Sequence, residues 1–293
     1  SKMKVCLDCG NGVGGVIAPH AFKLLGLDVI ELYSKVDGNF PNHHPDPSNP
    51  INLKDLQKKV LETNSDLGIA LDGDGDRVGL VDNKGNIIFP DIYMMLLAEN
   101  LLKKYNEGNI VFDVKCSKNL EKIIKNFNGT PIMSRTGHSY IKSKIIETDA
   151  LLGGEMSGHI FFNDDWYGFD DGIYSALRII EILSKQKKTS YEVFDSYPNF
   201  FSTPEINLKV AEQEKFNIIE ELKPLIQSEK YHSIDIDGIR LENKSSWGLI
   251  RASNTSPNLV LRFEGKTKKD LKEIKNYFKE ILSKIEIDLQ LDF

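Results

Sequence analysis

Residues 67–71, Leu-Gly-Ile-Ala-Leu, form an apolar run that stops on Asp72-Gly73-Asp74-Gly75-Asp76-Arg77. A short apolar run of this kind reads as a buried strand, and it has to end where the carboxylates begin, because a packed sheet cannot hold three unpaired charges. Alternate residues of an extended chain face opposite ways. The three carboxylates therefore converge only if the backbone turns, and Gly73 and Gly75 are the residues able to adopt positive φ there. Three like charges within a few ångströms cost several kcal/mol unless a cation lies among them. An all-oxygen ligand set suits Mg²⁺, with Mn²⁺ or Ca²⁺ next. Arg77 adds a donor for a nearby phosphate. An ordinary Asp-Gly turn is the plain alternative. An EF-hand loop is not: its sixth position calls for Gly where Arg77 stands, and its twelfth for Glu where Asn83 stands.

The stretch before this loop reads as strand 4–8, a Gly-rich turn, a helix through Leu25 and a strand at 29–32, a βαβ opening. Gly10, Gly12 and Gly15 match the dinucleotide fingerprint in form, with Glu31 near the place of its ribose-binding acid. The same glycines serve equally for a tight turn and close helix packing. A long Pro/Asn/His loop, 37–50, follows in place of a compact continuation. Its His43, His44 and Asp46 resemble metal ligands in type, but adjacent histidines of an extended segment face opposite ways, so the loop is expected to support a cleft. A helix at 53–63 then leads into the aspartate strand, and a hairpin at 78–89 closes a first α/β domain at residue 88.

Downstream, helix 93–105, strand 109–114, helix 120–127 and strand 131–133 repeat the alternation of strand, polar loop and helix. This places Lys115 and His138 at strand ends, where open α/β sheets bind ligands. In Gly154-Glu155-Met156-Ser157-Gly158-His159 the alternating Glu155 and Ser157 suit the hydroxyls of a polyol, although Gly-rich turns often hold only their neighbours. An acidic, aromatic loop at 163–171 enters a helix at 172–183. Residues 198–204 read as a linker. Beyond it, a strand at 206–210, a helix at 213–226, strands at 233–237, 239–243, 247–251 and 259–263 and a helix from 268 make a smaller α+β domain. Its loop sets Arg251, Ser253, Asn254 and Thr255 on a short arc, with Arg262 returning toward it, a donor set for a tetrahedral phosphate dianion.

The fold class expected is thus two consecutive mixed-sheet α/β domains, 1–88 and 89–200, followed by an α+β domain, 201–293. The 293 residues suffice for two or three cores, and 40% apolar with 27% charged residues is the composition of a globular protein. A net charge of −6 argues against a general nucleic-acid surface while permitting a basic cleft. Cys6, Cys9 and Cys116 form neither a disulfide framework nor a zinc motif. No apolar run approaches a bilayer span, so neither a membrane nor a nucleic-acid partner is expected, and a cytoplasmic location is.

Taken together, residues 72–77, 154–159 and 251–255, supported by Asp113-Val114-Lys115-Cys116 and Thr136-Gly137-His138, resemble the α-D-phosphohexomutase family, in particular its bacterial phosphomannomutase/phosphoglucomutase branch. The resemblance implies that Asp72, Asp74 and Asp76 bind Mg²⁺ and that Arg77 contacts a phosphoserine. It further implies that Glu155 and Ser157 hold sugar hydroxyls and that Lys115 and His138 are basic residues around the reacting groups. Arg251, Ser253, Asn254, Thr255 and Arg262 then clamp the phosphate that is not transferred. The implied chemistry is reversible phosphoryl transfer between C1 and C6 of a hexose phosphate, with a hexose 1,6-bisphosphate as activator, by a monomer or weak dimer.

Family members have four domains, and the motifs here belong to the second, third and fourth. The phosphoserine loop of the first is missing from the sequence, and Ser134, Ser139 and Ser253 do not replace it. The expectation is that the N-terminal phosphoserine domain belongs to the same or a separate chain, that these 293 residues alone do not turn over, and that their metal seat is incomplete. Ser256 stands where family loops commonly carry Glu, which is expected to loosen that loop. Met156 and Asn254 favour mannose or glucose phosphates over the glucosamine phosphate of phosphoglucosamine mutases, the alternative enzyme. A non-catalytic phosphosugar-binding fragment is the alternative of another class.

Overall fold

Strand β1 (Lys4–Asp8) lies between β2 (Asp28–Leu32) and β3 (Leu67–Leu71), parallel to both, while β4 (Val78–Asp82) and β5 (Ile87–Ile88) extend the sheet antiparallel, in the order β2-β1-β3-β4-β5. This is a computed structural model, and it describes residues 2–226, 229–285, 291 and 293. Helices α1 (Ala18–Leu24) and α2 (Lys54–Thr63) make the parallel crossovers. The apolar residues of α2, Leu56 and Val60, bury against Cys6, Ala70 and Val81 of the sheet, as helical spacing predicts. At the end of the helix Asn64 takes the left-handed conformation, φ +50°, and returns the chain to β3.

The second sheet has the order β7-β6-β8-β9, built from β6 (Gly108–Asp113), β7 (Gly129–Ser134), β8 (Leu152–Gly154) and β9 (Ile160–Phe162). Helices α3 (Pro90–Tyr105), α4 (Lys118–Asn126), α5 (His138–Thr148), α6 (Gly172–Ser184) and α7 (Ser190–Phe194) accompany it. With β8 parallel to β6 and β9 antiparallel to β8, this sheet is mixed like the first. Two of its helices differ from the sequence reading. His138, placed at a strand end by the sequence, already opens α5, and α7 follows residues 185–188, where no helix is expected. A capping box explains α7: Thr189 accepts from Glu192 N, and the Glu192 carboxylate accepts from Thr189 N.

These two mixed-sheet α/β domains share one compact unit, residues 1–132 with 138–198. Part of what joins them is at the start of α7. The buried Ser190 hydroxyl lies 2.6 Å from Asp66 O and accepts from Asn83 N at 2.9 Å, and Tyr191 N donates to Asn83 Oδ1 at 2.9 Å. Tyr93 of α3 donates from its hydroxyl to Val78 O at 2.8 Å.

The second unit, residues 133–137 with 199–293, is the smaller α+β domain. Its antiparallel sheet runs β10-β15-β14-β13-β12, with β11 also pairing β15. The strands are β10 (Phe201–Ser202), β11 (Ile206–Lys209), β12 (His232–Ile234), β13 (Ile239–Glu242), β14 (Ser246–Ala252) and β15 (Asn258–Gly265). Residues 198–204 are therefore more than a linker: β10 lies within them, its Phe201 paired with Gly265. Helices α8 (Lys215–Leu222) and α9 (Lys268–Leu282) close one face, over Ile239, Leu241, Ile250, Leu261 and Phe263. The register places Arg240, Trp247, Leu249, Arg251, Arg262 and Glu264 on the opposite face. They too are buried. Trp247 lies between two guanidiniums, with Arg240 Cζ 4.0 Å and Arg262 Cζ 5.6 Å from its ring.

Gly12 and Gly15 serve close packing. A Cβ on Gly12 would come within 2.7 Å of Gly73 O, and one on Gly15 within 2.1 Å of Ser34 O. Glu31 is tied to Lys23 and Ser34. The turn presses directly on the aspartate loop, so these glycines do not leave the open cradle that a dinucleotide pyrophosphate needs.

Loop 37–50 is anchored by His43, whose Nε2 lies 3.0 Å from the fully buried Asp8 carboxylate and whose Nδ1 lies 3.0 Å from His44 O. With an acceptor at each nitrogen the imidazolium is favoured, and the Asp8 bond is the main reason that the His43 pKa is pushed up to about 9. Two outcomes follow for stability. Ser190→Ala leaves Asn83 N and Asp66 O without a buried partner and lowers unfolding stability by about 1–3 kcal/mol in urea titrations. The His43 contribution is complete below the ordinary histidine pKa and is lost as pH rises through 9. Stability therefore falls by about 1–2 kcal/mol between pH 6.5 and 9.5 after allowing for solvent screening, and His43→Gln flattens that slope.

Candidate functional site

The aspartate loop is held by its first member. Asp72 Oδ1 accepts from the backbone N–H of Gly75 and of Arg77, both at 3.0 Å, and Oδ2 accepts from Arg77 Nε at 2.7 Å. Gly75 takes φ +82°; Gly73 is not among the positive-φ glycines, so one left-handed residue suffices for the turn. The loop closes tightly enough to gather Asp72, Asp74 and Asp76, whose ligand oxygens lie within 4.8 Å of one another. Although burial opposes it, the donors of Arg77 hold the Asp72 carboxyl below the usual carboxylate range. Asp76 goes the other way: burial, with Asp72 and Asp74 close by, pushes it up to about 7 despite the pull of His159. Its Oδ1 is buried without a hydrogen-bond partner. An oxygen trio in which one buried oxygen lacks a hydrogen bond fits a hard divalent cation.

Arg77 also reaches Asp46 Oδ1 at 2.9 Å through Nη1, which links the aspartate loop to loop 37–50. Thus His43 and Asp46 both brace loop 37–50 against the sheet end. The isolated bridge Arg77 to His159 brings the second sheet's Gly-rich turn alongside. There Glu155 is buried and accepts from Ser157 Oγ at 3.2 Å. His159 Nδ1 lies 3.0 Å from Asp170 Oδ2 and 3.6 Å from Asp76 Oδ2. His138, at the start of α5, stacks on His159 with ring centroids 5.9 Å apart. Lys115 is buried, its Nζ 3.8 Å from Asp113 Oδ2. His159 and Asp170 were not singled out from the sequence. The histidine stood in a motif already noted, whereas nothing in the spacing of Asp170 announced its partner.

In the second unit Arg251 is buried at the end of β14, with Nε donating to Asp237 Oδ2 at 2.8 Å. The loop after it is closed by side chains: Ser256 Oγ lies 2.9 Å from Ser253 Oγ and accepts from Asn258 Nδ2 at 3.0 Å. The Glu-to-Ser departure therefore does not leave this loop without internal bonds, because two hydroxyls and an amide replace the carboxylate. Asn254 and Thr255 stay exposed. The register places Arg262 on the same face as Arg251, diagonally across from it. The five predicted clamp residues thus share one strand end and its loop, except Arg262, which lies within the neighbouring strand.

Three family models match the chain in series: phosphoglucomutase/phosphomannomutase alpha/beta/alpha domain II over residues 1–85, alpha/beta/alpha domain III over 89–200, and the C-terminal domain over 205–281. The chain is 53% identical over 291 residues to the phosphomannomutase/phosphoglucomutase of Pseudomonas aeruginosa, covering 99% of this chain and 63% of that protein. To the phosphoglucomutase of Neisseria gonorrhoeae it is 47% identical over 282 residues, covering 96% and 61%. A crystal structure of a phosphoglucomutase/phosphomannomutase family protein from Burkholderia thailandensis superposes with a TM-score of 0.93 at 43% identity, over 99% of this chain and 62% of that one. The chain therefore spans less than two thirds of the length of these relatives. Its matched segments are the family's second, third and fourth domains, and the chain belongs to the phosphoglucomutase/phosphomannomutase family.

Proposed function

We propose that this chain is the three-domain portion, divided at 1–88, 89–200 and 201–293, of a phosphohexomutase that interconverts hexose 1-phosphates and hexose 6-phosphates of mannose and glucose. The observation that carries the reading is the gathering of Asp72, Asp74 and Asp76, one of whose carboxylate oxygens is buried without a hydrogen bond, with Arg77 fixed at the loop end. Asp72, Asp74 and Asp76 would hold Mg²⁺. When bound, the ion supplies positive charge that stabilises oxyanion character at the phosphoryl group being transferred.

Each residue group has a distinct task. Arg77, oriented through Asp72 and Asp46, offers guanidinium charge to a phosphoserine contributed by a further, N-terminal domain. Glu155 and Ser157 accept and donate to sugar hydroxyls, with the Glu155 carboxylate held in place by the turn. His138 and Lys115 supply positive charge or move a proton at the reacting hydroxyl. Arg251, Ser253, Asn254, Thr255 and Arg262 hold the phosphate that stays on the sugar. Because phosphate is exchanged between C1 and C6 through a bisphosphorylated sugar, this clamp has to accept the sugar in both orientations.

The reading predicts that the 293-residue chain supplied with glucose 1-phosphate, hexose 1,6-bisphosphate and Mg²⁺ gives no glucose 6-phosphate in a coupled assay. Turnover at the rate of a complete mutase would contradict it. In the polypeptide extended by its phosphoserine domain, Asp76→Asn lowers kcat on the order of 10²-fold or more, a loss read from the same assay at saturating Mg²⁺.

A further inference from the structure

The turn joining β12 to β13 carries a carboxylate that lies outside every motif described above. Asp237 is nearly buried, its side chain 8% exposed, and its Oδ2 accepts two bonds: from Arg251 Nε at 2.8 Å and from the Thr136 backbone N–H at 3.0 Å. The next residue fixes its place. Gly238 has φ +80°, and a Cβ there would stand 2.2 Å from Ile250 O and 2.6 Å from Arg251 Cα. Only glycine lets the turn lie this close to the Arg251 backbone, so the carboxylate is pressed against the arginine it binds.

Thr136 completes the arrangement from its other end, its carbonyl accepting from Asn254 Nδ2 at 3.1 Å. A single residue's N–H and C=O thereby engage Asp237, which binds Arg251, and Asn254, which follows Arg251 in the loop after β14. Residues 133–137 belong to this second unit, so the contacts are internal to it. Arg251 is 4% exposed, and while Nε is committed to Asp237, Nη2 is buried with no hydrogen-bond partner. A guanidinium is planar, so fixing Nε fixes the direction of the remaining N–H groups. A buried donor without an acceptor is costly in the free protein, and an incoming anion removes that cost.

Resting on the phosphate-clamp reading given above, we infer that Asp237 is the positioning residue of the clamp. It orients the Arg251 guanidinium toward a phosphate monoester and, through Thr136, holds Asn254 in register with it before the ligand arrives. Arg251 side-chain freedom is then lost on folding and not on binding, which for one long side chain corresponds to roughly 0.5–1.5 kcal/mol, or about a 2- to 12-fold gain in affinity.

Calorimetric titration of the 293-residue chain with mannose 1-phosphate tests this, using Asp237→Ala, Asp237→Asn, Arg251→Ala and the double variant with alanine at both positions. Asp237→Ala is expected to weaken binding about 5- to 10-fold, Asp237→Asn to recover most of the loss because its amide oxygen still accepts both bonds, and Arg251→Ala to weaken it at least 10-fold. In the Arg251→Ala background, removing Asp237 is expected to add nothing. Wild-type affinity in Asp237→Ala, or a loss that persists undiminished without Arg251, overturns the positioning role while leaving the clamp intact. Unchanged binding by Arg251→Ala overturns the clamp and the positioning role together. Should Asp237→Ala fail to fold, the Arg251 Nε–H proton of the wild type decides by NMR: slow exchange supports the inference, and exchange as fast as that of an exposed arginine contradicts it.

Discussion

Three carboxylates at the end of one strand are the constraint on which the rest of the first unit depends. Like charges this close need either donors or a cation. Among the described residues the donors go mainly to Asp72, which takes two backbone N–H groups and the Arg77 guanidinium, while Asp76 Oδ1 is buried with no hydrogen-bond partner. Much of the nearby structure answers that demand. The glycine turn after β1 makes room for the loop, Asp46 steadies the far side of Arg77, and His159 lies 3.6 Å from Asp76.

The surroundings of Arg251 in the second unit follow a parallel logic with the sign reversed. Here the buried group is cationic, and a carboxylate neutralises one edge of it while a buried nitrogen stays unmatched. In both places a charged side chain, Asp76 or Arg251, keeps one buried polar atom without a hydrogen-bond partner. The polar sheet face beneath Arg251, with Trp247 between Arg240 and Arg262, has the same character, since charge is buried there beside an aromatic spacer and not dispersed in water.

How much of this was legible in the sequence depends on the range of the interaction. Strands such as β1 and β3 and helix α2 follow from apolar runs and helical spacing, because burial of one face is a local pattern. The aspartate loop was legible as well, since glycines and carboxylates at adjacent positions fix both the turn and its charge. Long-range partners were not. Asp237 and Asp170 are acidic residues between the named strands and helices, with no sequence mark separating them from solvated ones. Their meaning comes from tertiary packing that brings Arg251 and His159 to them. Strand β10 was hidden for a related reason: two residues in a Pro-flanked stretch carry no periodicity, and only pairing with β15 makes them a strand. The dinucleotide fingerprint shows the converse, a local pattern with a different tertiary purpose.

The proposed function depends on the aspartate loop acting as a divalent-cation seat. Titration of the purified 293-residue chain with Mn²⁺, followed by electron paramagnetic resonance, measures this directly, because free and bound ions differ in signal. One competitively Mg²⁺-displaceable Mn²⁺ per chain is expected, abolished when Asp72, Asp74 and Asp76 are together changed to Asn, and bound more weakly than in a polypeptide that also carries the phosphoserine domain. Binding that survives the triple change, or no binding in any of these proteins, would contradict it.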